Sequence, residues 1–290
     1  MNDVEGKVAF VTGGASGIGL GMVRSFADAG MKVAVADIEQ AALDGVKEEF
    51  ESSDAEMIYL QVDVTDRDAM ERAAQQTEEA FGKVHVVCNN AGVAVAGRVD
   101  KMDYKDWDWV MGVNLDGVIN GVVTFVNRIR VHGEGGHFVN TASMAGQMPI
   151  PGGSIYTASK YAVVGLSEVM RTDLARLDIG VSVLCPAGVT TNVGKSGRNR
   201  PADLQLQKDT SRLGMGKTPI GEKVLSDMLD ASVVGDMVLA AVLANDAYVF
   251  THPHHKPMVD ARTARVDSSF ERWSQYRELK GIKAEGTDNV

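Results

Sequence analysis

The sequence predicts an α/β fold: a single doubly wound domain built on a mostly seven-stranded parallel sheet. Two observations carry this expectation. Short β-branched runs alternate with longer segments whose apolar residues recur at helical spacing, and the short runs are apolar almost without interruption. Strand–helix alternation implies right-handed crossovers and parallel pairing. Unbroken apolar runs imply strands covered on both faces. The length of 290 residues would allow two domains at roughly 150 residues each, but single α/β sheets also reach it.

The strand candidates, in order, are KVAFVT (7–12), KVAVAD (32–37), MIYLQV (57–62), VHVVCN (84–89), HFVNTA (137–142), VSVLCP (181–186) and YVFT (248–251). The first helix candidate, IGLGMVRSFADAG, ends at Gly30, a residue suited to a C-cap. TDRDAMERAAQQTEEAF opens with Thr65 and Asp68 in a capping-box-like pair. Regularity fails over residues 192–230, which are rich in Gly, Lys and Arg. Such an insertion is read as a substrate loop or lid, or else as a disordered surface loop. Residues 252–290 form a C-terminal extension whose PMVDARTARVDSSFERWSQYRELK reads as a terminal helix, and residues 1–290 are taken as one domain.

Composition is that of an ordinary globular chain, 44% hydrophobic and 23% charged. The net charge of −10 argues against nucleic acid or an anionic membrane as partner, because both need a basic face. Cys88 and Cys185 lie in the apolar runs VHVVC and VSVLC and read as buried free thiols of a reducing compartment. The N-terminus is acidic, without a signal-like segment, and no apolar run reaches the ~18 residues of a membrane helix. A cytoplasmic protein is expected.

The first strand runs directly into TGGASGIG, residues 12–19. Gly13, Gly17 and Gly19 allow a sharp turn with room for a pyrophosphate, and the loop residues Ser16 and Ile18 lead into a helix whose first amides would face the phosphates. The spacing is G-x-x-x-G-x-G, and glycine turns also occur without ligands. Position favours the dinucleotide reading, and so a Rossmann-type domain, since the loop follows a strand and opens a helix. Asp37 ends the second strand, eighteen positions after Gly19. Its carboxylate can accept from the adenosine ribose hydroxyls and would repel a 2′-phosphate, which selects NAD over NADP. The plainer role is that of a helix N-cap, and both can hold. Asp63, followed by Val64, is a candidate for the adenine edge.

Two tyrosine–lysine pairs occur at four-residue spacing, Tyr156 with Lys160 in SIYTASKYAV and Tyr276 with Lys280 in YRELK. On a helix either pair would share one face. The surrounding motifs separate them. TGGASGIG, NNAG (89–92, with Asn90, Ala91 and Gly92), VNL (113–115, with Asn114), Ser143 thirteen residues before Tyr156, YTASK, and PAGVTT (186–191, with Pro186, Val189 and Thr191) together resemble the short-chain dehydrogenase/reductase family over about residues 5–191. The layout, including DWDWVMGVNLDGVINGV, is further similar to bacterial dehydrogenases that oxidise benzylic alcohols of lignin-derived aryl ethers. Two departures stand out: Ala187 replaces the family's usual glycine after the proline, and YVFTHPHHKP with a helix replaces its usual glycine-rich ending.

The resemblance implies that NAD is the cofactor and that Asn114, Ser143, Tyr156 and Lys160 are the catalytic residues. It implies that Lys160 also contacts the nicotinamide ribose, that Asn114 holds a water, that the PAGVTT segment holds the nicotinamide, and that the protein is a homodimer or homotetramer. Tyr156 would exchange a proton with a secondary alcohol or ketone. Its ordinary pKa of about 10 would be lowered by the nearby ammonium and the cationic cofactor. Tyr276 and Lys280 lack such neighbours and read as a solvated helix face. A lyase or epimerase using the same nucleotide site, or a non-catalytic regulator, would share the fold. His252, His254 and His255 read as a loop rim more readily than as a metal site.

The residues expected beside the reacting carbon are Val93, Ala94, Val95, Met144, Ala145, Met148, Pro149, Ile150 and Pro151, with Leu204, Leu206, Leu213 and Met215 as a closing lid. They are apolar and suit a bulky aryl or long-chain alcohol. The alternative is that they are core and the wall comes from elsewhere.

Overall fold

The computed structural model describes residue 1, residues 3–205 and residues 227–282. They belong to two compact units, Met1–Thr251 and His252–Val290. In the larger unit the apolar runs become β1 (Val8–Thr12), β2 (Lys32–Asp37), β3 (Met57–Gln61), β4 (Val86–Asn89), β5 (Gly136–Thr141), β6 (Ile179–Cys185) and β7 (Tyr248–Phe250). They form one seven-stranded, all-parallel sheet in the order β3-β2-β1-β4-β5-β6-β7. The order reverses between β1 and β4, and the crevice at the carboxyl ends of these two strands is where doubly wound folds take ligands.

Alternation along each strand divides the core into two layers. Ala9, Val11, Val33, Val35 and Cys88 pack with α1 (Gly17–Asp28) through Met22, Val23 and Phe26. Val8, Phe10, Val87 and Phe138 face the other way, toward Phe125 and Ile129 of α5 (Gly117–His132). Phe10 and Phe125 meet ring to ring at 4.6 Å. Burying side chains of this size is worth about 1.5–3 kcal/mol each. The expectation of strands covered on both faces fails at the edges: β3 is only half-buried, and of β7 only Val249 is buried, since an edge strand has no neighbour beyond it.

The remaining helices of this unit are α2 (Gln40–Phe50), α3 (Arg67–Phe81), α4 (Tyr104–Met111), α6 (Ser154–Leu174) and α7 (Ala231–Ala244). Gly30, with φ +74°, follows α1 in the left-handed conformation expected just past a helix end. The cap of α3 is corrected by one residue. Asp66, rather than Thr65, accepts from the amides of Asp68 and Ala69, while Thr65 donates to Asp63. Between α4 and α5 the helix widens into a π-turn over Gly112–Asp116. The continuous helix Tyr104–His132 has the length and apolarity of a membrane span. Val118, Phe125 and Ile129 are instead buried from α5, the last two in the layer that covers the sheet. Within residues 192–230, short 3-10 turns occupy Val193–Asn199 and Ala202–Leu204, and Leu229 pairs with Val189. Leu206, Leu213 and Met215 lie outside the described residues. Cys88 and Cys185 are buried free thiols.

The smaller unit consists of a 3-10 turn, Pro253–His255, followed by α8 (Lys256–Leu279). The rings of His252, His254 and His255 pack on one another, with 4.5 Å between the last two.

Candidate active site

The carboxyl ends of β1, β2, β4, β5 and β6 open onto one groove of about 360 Å³. Its floor is a set of turns tied to one another. Gly13 has φ +61°, a conformation open to glycine at little cost, and a Cβ on Gly19 would stand 1.9 Å from the Gly13 carbonyl oxygen. Thr12 Oγ1 accepts from the amides of Asn90 (2.9 Å) and Ala91 (3.1 Å), so the NNAG turn is bolted to the end of β1. Asn90 Nδ2 donates to the Thr12 carbonyl at 3.1 Å, and Thr141 Oγ1 donates to Asn90 Oδ1 at 3.2 Å. A glycine-lined cradle with a helix N-terminus behind it fits a pyrophosphate.

At one end of the groove, Asp37 Oδ2 accepts from Ala15 N (3.1 Å) and Oδ1 from Glu39 N (3.1 Å). The carboxylate therefore braces the glycine loop and the turn into α2. Burial raises its pKa, while the Glu39 and Ala15 amides pull it down. Asp63 Oδ1 accepts from Thr65 N and Oγ1, which fixes the turn that presents Val64.

At the other end lies the Tyr156 helix, α6. Lys160, one turn into it, is 3% exposed, and its Nζ donates to the Thr141 carbonyl at 2.7 Å while standing 5.6 Å from the Tyr156 ring centre. Burial lowers its pKa to about 8. Tyr156 is half-buried; desolvation raises its pKa and its hydrogen bond with Ser143 lowers it. In the protein alone desolvation outweighs the Ser143 hydrogen bond, so the phenol is shifted up rather than down as expected. Ser143 begins the 3-10 turn after β5, its Oγ accepting from Ala145 N at 3.1 Å. Asn114 sits in the π-turn, fully buried; its Oδ1 accepts from Val93 N (2.8 Å) and its Nδ2 donates to Val93 O (3.0 Å) and Ser159 Oγ (3.2 Å). A Cβ on Gly92 would lie 3.4 Å from Asn114 Oδ1 and 3.7 Å from Lys160 Nζ, so the two groups converge on one point. π-turns often occur where a side chain must be presented for function.

Most of the sequence-derived residues border this groove: Gly13, Ser16, Gly17, Ile18, Asp37, Asp63, Val64, Asn90, Ala91, Gly92, Ser143, Tyr156, Lys160, Pro186, Val189 and Thr191. Gly19 and Asn114 stand behind its surface. The residues expected beside the substrate divide between the groove, the interior and the surface. Val93 and Leu204 border the groove, but Met144, Ala145 and Met148 are buried, and Val95 packs in a cluster with Trp109, Val110 and Ile155. Pro149 and Pro151 are exposed. Among the described residues, the apolar lining of the groove includes Trp109, Val113, Val193 and Pro201 beside Val93 and Leu204. A buried ion pair, Arg200 Nη1 to Asp106 Oδ1 at 2.7 Å, ties Pro201 and Leu204 to α4, and the guanidinium lies 5.1 Å over Trp109. Trp109 was readable only as an apolar helix position five residues before Asn114.

A model of the short chain dehydrogenase family matches residues 7–202. The C alpha-dehydrogenase of Sphingobium sp. (strain NBRC 103272 / SYK-6) is 41% identical over 203 residues, 70% of this chain and 67% of that protein. The 3beta-hydroxysteroid dehydrogenase 2 of Eggerthella lenta is 36% identical over 209 residues, covering 72% of this chain and 80% of its own length. Among solved structures, a short chain dehydrogenase/reductase from Burkholderia phymatum in complex with NAD superposes with a TM-score of 0.88 at 35% identity, over 93% of this chain and 97% of that one. The chain belongs to the short chain dehydrogenase family of oxidoreductases.

Proposed function

We propose that the protein catalyses the NAD-dependent oxidation of a secondary alcohol to a ketone, or the reverse, with Tyr156 exchanging the proton at the substrate oxygen. The observation that carries this reading is the buried Lys160 ammonium held against Thr141 O and beside the Tyr156 ring, at the wall of a groove that also presents Ser143. A buried ammonium is costly unless it serves something.

The glycine cradle, Asp37 and the PAGVTT segment would hold the dinucleotide, as one is held in the Burkholderia relative. When bound, NAD supplies a two-electron acceptor and a positive charge. That charge and Lys160 favour the phenolate, offsetting the desolvation that raises the Tyr156 pKa. Tyr156 Oη then takes the hydroxyl proton of an alcohol and returns it in the reverse direction. Ser143 Oγ orients the substrate oxygen. Asn114, locked through both side-chain atoms to Val93 and Ser159, fixes the backbone beside Lys160. Asp37 favours NAD by repelling a 2′-phosphate.

The wall of Trp109, Val113, Val193 and Leu204 offers little hydrogen bonding. It suits an apolar or aromatic alcohol, since polyol hydroxyls would lose water without gaining partners. Relatives bearing the names C alpha-dehydrogenase and 3beta-hydroxysteroid dehydrogenase support a bulky substrate. The test is a panel of aryl, steroid, polyol and short hydroxy-acid alcohols with NAD and NADP, read by absorbance of the reduced nicotinamide. Turnover of aryl or steroid alcohols with NAD is expected. A polyol or short hydroxy acid as best substrate, or no reduction at all, overturns the reading.

A further inference from the structure

Two residues beyond Asp37, a second carboxylate meets an arginine that reaches across from the segment after β6. Arg198 Nε donates to Glu39 Oε2 at 3.0 Å, Nη2 donates to Oε1, and Asn199 Nδ2 donates to the same Oε1 at 2.9 Å. Nη1 of Arg198 is tethered separately, to the carbonyls of Lys195 (2.9 Å) and Asn192 (3.4 Å). Every nitrogen of the guanidinium is engaged. Asp37, Ile38, Glu39, Arg198 and Asn199 all border the same end of the groove. Among the described residues that line the groove, the cations are Lys160 and Arg198, and Lys160 is committed to Thr141 at the catalytic end.

A guanidinium fork fits a phosphate as well as it fits a carboxylate. Glu39 and a 2′-phosphate would therefore compete for the same two nitrogens, Nε and Nη2. We propose that Glu39 is a second specificity-determining residue for the dinucleotide, acting by holding Arg198 away from a 2′-phosphate. Asp37 repels that group directly, and Glu39 withholds the cation that would welcome it. This rests on the dinucleotide reading above. Removing Glu39 leaves Arg198 tethered through Nη1 at the adenosine end, with its fork open. The pair is part-exposed, with side chains 38% and 30% accessible, so its exchange for a stronger acceptor is not blocked by burial.

The test is a titration of NADH and NADPH binding by nicotinamide fluorescence, which needs no turnover. In an Asp37→Asn background, adding Glu39→Ala should tighten NADPH about 10-fold, the low end for charge-assisted hydrogen bonds. NADH should change far less. Adding Arg198→Met to that double variant should abolish the gain. Glu39→Ala alone should move NADPH binding in the same direction by a smaller factor, which covers the case of an unfolded double variant. An unchanged NADPH affinity in both Glu39 variants overturns the proposal, as does a gain that survives Arg198→Met, which would mean simple loss of a negative charge. Wild-type protein that binds neither dinucleotide overturns the dinucleotide reading itself, a distinct result.

Discussion

Tyr156 and Lys160 open α6, and Tyr276 and Lys280 close α8. The same two residue types stand four apart in each place, and the ammonium lies at nearly the same distance from the ring centre, 5.6 Å and 5.9 Å. Local geometry does not tell them apart; surroundings do. Lys160 is 3% exposed and held to Thr141 O, so removal from water lowers its pKa to about 8. Tyr276 is 46% exposed beside Trp273, where water screens an ammonium to about 1 kcal/mol or less at such distances. Spacing makes a pair; burial at the wall of a groove makes it a candidate proton device.

The largest expected effect lies on the tyrosines. Tyr156→Phe keeps the ring and removes the exchangeable proton, so turnover should fall ~10²–10⁴-fold while dinucleotide binding survives. Tyr276→Phe should leave kcat unchanged. Equal losses in the two variants would dissolve the contrast.

The lysines sharpen it next, through stability. A Lys with an ordinary pKa of 10.5 that falls to about 8 on folding is a buried cation the fold would rather discharge. Between those values the unfolded chain keeps a proton the folded chain has released, so this group's contribution rises with pH from about 8 to 10.5. Below that window the penalty is roughly 3 kcal/mol. Lys160→Met should therefore stabilise the protein at neutral pH by about 1–2 kcal/mol, after the lost bond to Thr141 O is counted. The gain should vanish as pH passes through the window. Denaturant unfolding of both proteins across pH reads this as a difference, which cancels the other titrating groups. A gain independent of pH would mean that Lys160 is not a buried cation. The smallest effects belong to the outer pair: Tyr276→Phe and Lys280→Met should each change stability by no more than about 0.5 kcal/mol, measured in the same way.

This contrast also marks what the sequence could carry. The inner strands were readable because a strand covered on both faces must be apolar throughout. The edge strand β3 has the same kind of sequence but lies half-buried, because strand order is not written in any one strand. The glycine turn was readable because it is fixed by neighbours in the chain, and the Ser143–Tyr156–Lys160 set through its resemblance to the family's motifs. The wall was not. Met144 and Met148 follow the serine yet are buried, while Trp109, Val193 and Pro201 border the groove. Those residues are brought together by long-range contacts, among them the Arg200–Asp106 pair and the Arg200 guanidinium over Trp109. The Glu39–Arg198 clasp joins residues 159 positions apart and left no local signal. The π-turn that seats Asn114 likewise depends on packing rather than on composition.

The proposed reaction requires that the groove, once it holds a positive cofactor, turn a desolvated phenol into a base. Ring-¹³C tyrosine NMR across pH, with Tyr156 identified by the signal lost in Tyr156→Phe, tests it directly. Without ligand the Tyr156 midpoint should lie above the ordinary value of about 10, because burial dominates. With saturating NAD⁺ it should move down. A Tyr156 midpoint that stays where it was, or moves up, when the oxidised dinucleotide binds would contradict the account.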